Sequence, residues 1–376
     1  MASPSSSSSV GSVTPAASAD PSSFVSSSSS SSSSSPMPWT SADRWSLLLV
    51  IGIAAGVILP LLGATGFFDP WETNYAEVAR EMVVRDDFLY PFWKDAHFFS
   101  KPVLLFWLTA PAYALLGAAD PGPMPWGVEL FGRLPSALIG IATVVVAFLV
   151  ARRAVGRRAA TLGGIVLATS PFWAFLSRQA ITDMPYVGLS SIALLLLVPL
   201  LVGDDDDIAR LQQSRVPTWL AVVVVCCVAP QLWEIARSGA FFDRVTLLGG
   251  ERVTRVVVGV VGVAAAVGFG VVLRRRGDNP LLIASALCFA LSMLAKGPVG
   301  FVLSVIIVVV VVAPLLRGVD GLLAVLRWRS LGLAIAVFVV VAAPWPLVML
   351  AYDGLDESRK TWFQRFVLYD LLGRVG

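Results

Sequence analysis

Apolar runs near the length of a bilayer recur along this chain, at about 45–65, 134–150, 160–176, 185–202, 216–233, 253–273, 281–295, 299–316 and 331–350. A helix needs about 20 apolar residues to cross the hydrocarbon core, where only helices or closed barrels satisfy their own backbone. Composition agrees: 56% of residues are hydrophobic and 14% charged, whereas soluble domains carry about 25% charge. The chain reads as an all-α polytopic membrane protein with about nine crossings. No basic patch of the kind that binds nucleic acid is present. Cys226, Cys227 and Cys288 lie inside apolar segments with no metal or redox spacing.

Residues 1–43 are dominated by serine, with little charge and few large apolar groups. Such a segment cannot offset its ordering entropy, so it reads as a disordered cytoplasmic tail ahead of a transmembrane unit over 44–376. The chain breaks off at Gly376 in the middle of the hydropathy pattern, which reads as a fragment of something longer. The apolar piece 103–117 is short for a crossing. If it does not cross, the basic cluster at 152, 153, 157 and 158 falls inside, as the positive-inside rule requires. The loop 66–102 then faces the non-cytoplasmic side.

That loop is the one long polar, acid-rich stretch between apolar regions. It holds Asp69, Glu72, Glu77, Glu81, Asp86, Asp87 and Asp95. Tyr75, Val78, Ala79 and Met82 recur at helical spacing and form one apolar face over 74–82. Asp69 and Glu72 stand at the start of this helix, where a carboxylate either caps free N–H groups or acts as a general base at a membrane-face cleft. Lys101-Pro102 closes the loop, and Lys296-Gly297-Pro298 repeats that junction further on. Each lysine either snorkels or binds a phosphate at headgroup depth. Arg178 and Asp183 form a third polar island, read as a local ion pair, a cap or part of a site. His97, the single histidine, reads as a loop residue in an aromatic setting. Trp345 and Trp362 read as interfacial belt.

Five motifs occur in order. They are Glu72-x-x-Tyr75-Ala76-Glu77-x-x-Arg80-Glu81-Met82, Asp87-Phe88-x-x-Pro91, Phe98-x-x-Lys101-Pro102, Thr182-Asp183-Met184-Pro185 and Lys296-Gly297-Pro298. Together they resemble the ArnT-like and protein O-mannosyltransferase-like membrane glycosyltransferases of the C-type superfamily, over roughly 45–376. The resemblance implies a polyprenyl-phosphate sugar donor and transfer to an acceptor hydroxyl of a lipid A-like lipid, a protein or a glycan. It also implies inversion at the transferred carbon, a periplasmic face and a bacterial inner membrane. The family's key carboxylate immediately precedes the Glu of the Tyr-Ala-Glu helix. Trp71 occupies that place here, so Asp69 is the first candidate for the catalytic base and Glu72 the second. Lys101 matches the family's donor-phosphate lysine, and Tyr75, Arg178, Asp183 and Lys296 complete the substrate-binding set. No cofactor is assigned; the acids could bind a divalent cation, although their spacing matches no recognised site. The opposing class is a transporter or flippase of a lipid-linked or small anionic substrate, which calls for charges near mid-span and paired broken helices. An inactive scaffold is the third reading.

Overall fold

The computed structural model describes residues 39–120, 125–202, 205–239, 251–276, 279–306 and 328–373. Most of the serine-rich segment read as a tail, and most of the basic segment 317–329, lie outside these. Helix α1 (Ser41–Ile58) starts inside the stretch assigned to the tail, because Thr40 and Asp43 cap each other reciprocally. Helix α2 (Trp71–Val84) follows, then a small hairpin of β1 (Phe92–Trp93) and β2 (Ala96–His97), and α3 (Leu104–Leu116). Next come α4 (Val128–Val155), α5 (Arg157–Thr169), α6 (Pro171–Ser177), α7 (Asp183–Val202) and α8 (Asp205–Gln213). The remainder is α9 (Val216–Ser238), α10 (Glu251–Arg275), α11 (Pro280–Lys296), α12 (Val299–Ile306), α13 (Trp328–Ala342), α14 (Pro344–Ala351) and a π-helical stretch, Phe363–Leu372.

Five of these helices are long and apolar enough to cross a membrane, and seven spans result if each of two bent pairs counts as one. That is fewer than the nine read from hydropathy, for local reasons. The run 160–176 is broken at Ser170–Pro171, where α5 and α6 meet at 62°. The run 331–350 bends by 45° at Ala343–Pro344, and α11 has 17 residues. Proline has no N–H to continue a helix and clashes with the preceding turn. Most of the run 299–316 lies outside the described residues. The 13 residues of α3 reach about 20 Å, short of the hydrocarbon thickness. It ends in Gly117 at φ 70°, a left-handed cap open to glycine at no steric cost.

Helix α4 is the central strut, packing against α1, α3, α5, α6 and α7. Glycines let it approach its neighbours closely. A Cβ on Gly132 would stand 2.7 Å from Tyr113 Oη, and one on Gly140 would stand 2.3 Å from Ser177 Oγ. Small residues serve this purpose in membrane bundles, where packing rather than the hydrophobic effect holds helices together. Helix α2 lies outside the spans and buries Tyr75, Ala76, Val78, Ala79 and Met82, the apolar face read from the sequence. Tyr75 packs against Phe98 and Phe106 with ring centroids 6.0 and 6.2 Å away.

Candidate active site

The N-terminal end of α2 is fastened by Glu72. Its side chain is 1% exposed, and four donors converge on its two oxygens. Arg133 Nε donates to Oε1 at 2.9 Å and Nη2 to Oε2 at 2.8 Å. The Phe68 N–H donates to Oε2 at 2.9 Å and the Ala180 N–H to Oε1 at 2.6 Å. Arg133 in turn donates to the carbonyls of Leu62, Thr65 and Gly66, each at 2.8 Å. A buried ion pair persists only when such bonds satisfy its remaining donors and acceptors. Burial pushes the Glu72 carboxyl pKa up, but the Arg133 guanidinium and the two N–H groups outweigh it and hold it below the ordinary value. Glu72 therefore ties the end of α1, the start of α2, α4 and the 178–182 turn into one knot.

Asp69 has a different setting. It is exposed, and its Oδ1 accepts from Thr73 Oγ1 at 3.1 Å. Its neighbour Trp71 is 62% exposed. Asp69 is thus a solvated carboxylate at the start of α2 rather than a backbone cap; the carboxylate that reaches back to a free N–H is Glu72.

The 178–183 stretch is clamped from several sides. Arg178 Nη1 donates to the carbonyls of Val57 and Ile58 at 3.2 and 2.8 Å, binding the end of α1. Such a cation suits the negative end of a helix. Thr182 is fully buried, with no hydrogen-bond partner on its hydroxyl. Asp183, at the start of α7, does not pair with Arg178. It binds Lys296 at the end of α11, Oδ1 to Nζ at 2.5 Å, with both side chains about a third exposed. Lys101 Nζ donates to the Ser100 carbonyl at 2.9 Å. Tyr75, read as a substrate contact, is 5% exposed and sits in the core.

The Asp87–Pro91 turn is built by Asp87, whose Oδ1 accepts from the N–H groups of Leu89 and Tyr90 at 2.9 and 3.1 Å. Two indoles from separate helices then hold its carbonyls. Trp107 Nε1 donates to Phe88 at 2.6 Å, and Trp345 Nε1 to Leu89 at 2.8 Å. Trp345 is 1% and Trp362 4% exposed, so the reading of both as interfacial belt is corrected. They are buried supports of the loop, with rings edge to face at 5.7 Å. His97 stacks on Phe99 at 5.2 Å and its Nε2 lies 3.0 Å from Tyr352 Oη. Burial lowers its pKa, against the opposing pull of the Pro91 carbonyl and Asp87. Among the described residues, no group of three or more His, Cys, Asp or Glu side chains gathers to hold a metal ion.

The sequence reading missed Arg133. It stands one residue ahead of the apolar run 134–150, and a lone arginine at the edge of a span is itself a signal of a paired carboxylate.

Comparison with known proteins finds likenesses over parts of the chain. The family described as dolichyl-phosphate-mannose-protein mannosyltransferase matches residues 100–211. An undecaprenyl phosphate-alpha-4-amino-4-deoxy-L-arabinose arabinosyl transferase 2 of Pseudomonas fluorescens (strain Pf0-1) is 34% identical over 113 residues, 30% of this chain and 19% of that protein. A similarly named transferase of Pectobacterium carotovorum subsp. carotovorum is 28% identical over 181 residues, 48% of this chain and 30% of that protein. The matches thus span less than a third of these relatives' own lengths. The crystal structure of ArnT from Cupriavidus metallidurans bound to undecaprenyl phosphate is similar in fold, with a TM-score of 0.55 and 22% identity. It covers 88% of this chain and 45% of that one. This chain is therefore similar in fold to ArnT, over less than half of that protein, and similar in sequence to the mannosyltransferase family across 100–211.

Proposed function

We propose that this protein transfers a glycosyl group from a polyprenyl-phosphate-linked sugar to an acceptor hydroxyl at the non-cytoplasmic face of a bacterial inner membrane. The observation that carries this reading is the knot at Glu72. It fixes the 69–72 corner against the 178–183 turn, and Asp183 continues the chain of contacts to Lys296. Three of the stretches singled out in the sequence are thereby joined by direct contacts. The names of the relatives support a lipid-phosphate sugar as donor.

In this reading Asp69 is the general base. It is the exposed carboxylate at the corner, whereas every lone-pair direction of Glu72 faces a donor. Glu72 and Arg133 position the corner. As the acceptor oxygen bonds to the anomeric carbon, its proton passes to Asp69. The bond from that carbon to the phosphate oxygen breaks, and its electron pair leaves on the lipid phosphate. That leaving group needs positive charge rather than a proton, and Lys101 supplies it, with Lys296 as the further cation. The acceptor attacks opposite the phosphate, which gives inversion. A transporter would carry its charges near mid-span. The ion pairs Glu72–Arg133 and Asp183–Lys296 both stand near helix ends.

The test is transfer from radiolabelled undecaprenyl-phosphate sugars in membranes from cells making the protein. Asp69→Asn is expected to lower transfer by about 10²–10⁴-fold, the usual worth of a general base. Lys101→Ala is expected to lower it by a comparable factor through loss of charge stabilisation. No transfer by the unmodified protein from any lipid-linked sugar would remove the reading.

A further inference from the structure

Away from the Glu72 knot, three helix ends bring five arginines together. Asp43 in the first turn of α1 binds Arg152 in the last turn of α4, Oδ1 to Nε at 2.8 Å and Oδ2 to Nη2 at 2.9 Å. Thr40 donates both its N–H and its hydroxyl to Asp43 Oδ2, so this carboxylate is fully engaged. Arg44 follows Asp43 in the first turn of α1, and Arg153 follows Arg152 in the last turn of α4. Gly156, at φ 85°, turns the chain straight into α5, whose first two residues are Arg157 and Arg158. Helix α5 also packs along α1, where a Cβ on Gly164 would stand 2.9 Å from Val50.

The sequence around these helix ends carries little acid. Residues 39–68 contain Asp43 alone, and 134–182 contain no Asp or Glu. Arg44, Arg153 and Arg158 are exposed and Arg157 is half-buried. Arg157 and Arg158 also run against what a helix prefers. The start of a helix carries partial positive charge and favours acids, yet α5 has no acid in its first turn and no side-chain cap. Two cations at an uncapped N-terminus cost the fold stability unless an anion sits there. Trp45, 72% exposed, and Trp39, 44% exposed with Arg152 4.6 Å from its ring, flank the cluster. Indoles beside arginines at a span end mark headgroup depth.

We infer that the ends of α1, α4 and α5 form a binding site for the phosphate of an anionic phospholipid, held by Arg44, Arg157 and Arg158 with the free N–H groups of α5. Guanidinium forks match phosphate oxygens, and the helix N-terminus adds oriented donors. By the charge bias this is the cytoplasmic leaflet, and the site is independent of the transfer reaction.

The experiment is a melting titration of the purified full-length protein in a neutral detergent. Phosphatidylglycerol, phosphatidylcholine and inorganic phosphate are the three additives. The unmodified protein is expected to gain several degrees with phosphatidylglycerol alone. In the triple variant R44Q/R157Q/R158Q the apparent affinity falls roughly 100-fold, at about one charge's worth for each arginine. R274Q/R275Q, at the basic end of α10, keeps the full shift. If the triple variant does not fold, the single exposed change Arg158→Gln carries the test, with an expected loss of about fivefold. An equal shift with phosphatidylcholine, the same shift with inorganic phosphate, or an undiminished shift in the variants overturns the proposal.

Discussion

Helix α4 carries two buried arginines 19 residues apart, a separation of about 29 Å along the axis. Each binds a carboxylate from the chain ahead of it. Arg152 takes Asp43, whose other partner is the adjacent cap residue Thr40. That pair closes one helix end onto another. Arg133 takes Glu72 and also the carbonyls of Leu62, Thr65 and Gly66, while Glu72 reaches the Phe68 and Ala180 N–H groups. The chemistry is the same, but the second pair gathers segments that have no regular backbone partners of their own. A buried polar group is as important as the number of backbone atoms that have no alternative to it.

The difference is open to breaking, with the largest effect first. Arg133→Leu leaves Glu72 buried without its cation, and loss of about 3–5 kcal/mol of stability is expected, read as a lowered melting midpoint in detergent. Asp43→Asn should lower the midpoint less, because the asparagine keeps a carbonyl oxygen that can accept from Thr40 or Arg152; an equal loss would erase the distinction between the two pairs. Trp345→Phe keeps the ring but strands the Leu89 carbonyl, at about 1–3 kcal/mol, with increased proteolysis within 85–102 as the local readout. The smallest effect is on acidification. The lowered pKa of His97 means the unfolded chain takes up its proton first, so its contribution is full above the ordinary value near 6.5 and is lost as pH falls below it. Melting against pH should show this decline, and His97→Gln should flatten it.

Much of the fold was legible because bilayer physics leaves few options. Long apolar runs specify helices, and the three-and-four spacing of Tyr75, Val78, Ala79 and Met82 specifies the buried face of α2. Span counting was less secure, since Pro171 and Pro344 bend runs that hydropathy alone treats as straight. At the site, Asp183 and Lys296 were each visible as polar islands, but their pairing joins residues 113 positions apart and follows from packing of α7 on α11. Trp345 and Trp362 carried no mark to separate belt from core, since an indole suits either and only tertiary contact decides. Arg133 hid at the edge of an apolar run whose composition drew attention away from it.

The most direct measurement compares Asp69→Asn with Glu72→Gln, scoring transfer per folded molecule together with the melting midpoint. The account predicts that Asp69→Asn melts like the unmodified protein and loses transfer by at least about 10²-fold. Glu72→Gln should melt lower while its remaining folded molecules transfer within about tenfold of the unmodified rate. The reverse pattern, with full transfer in a stable Asp69→Asn and none in folded Glu72→Gln, would contradict it and make the buried carboxylate the base.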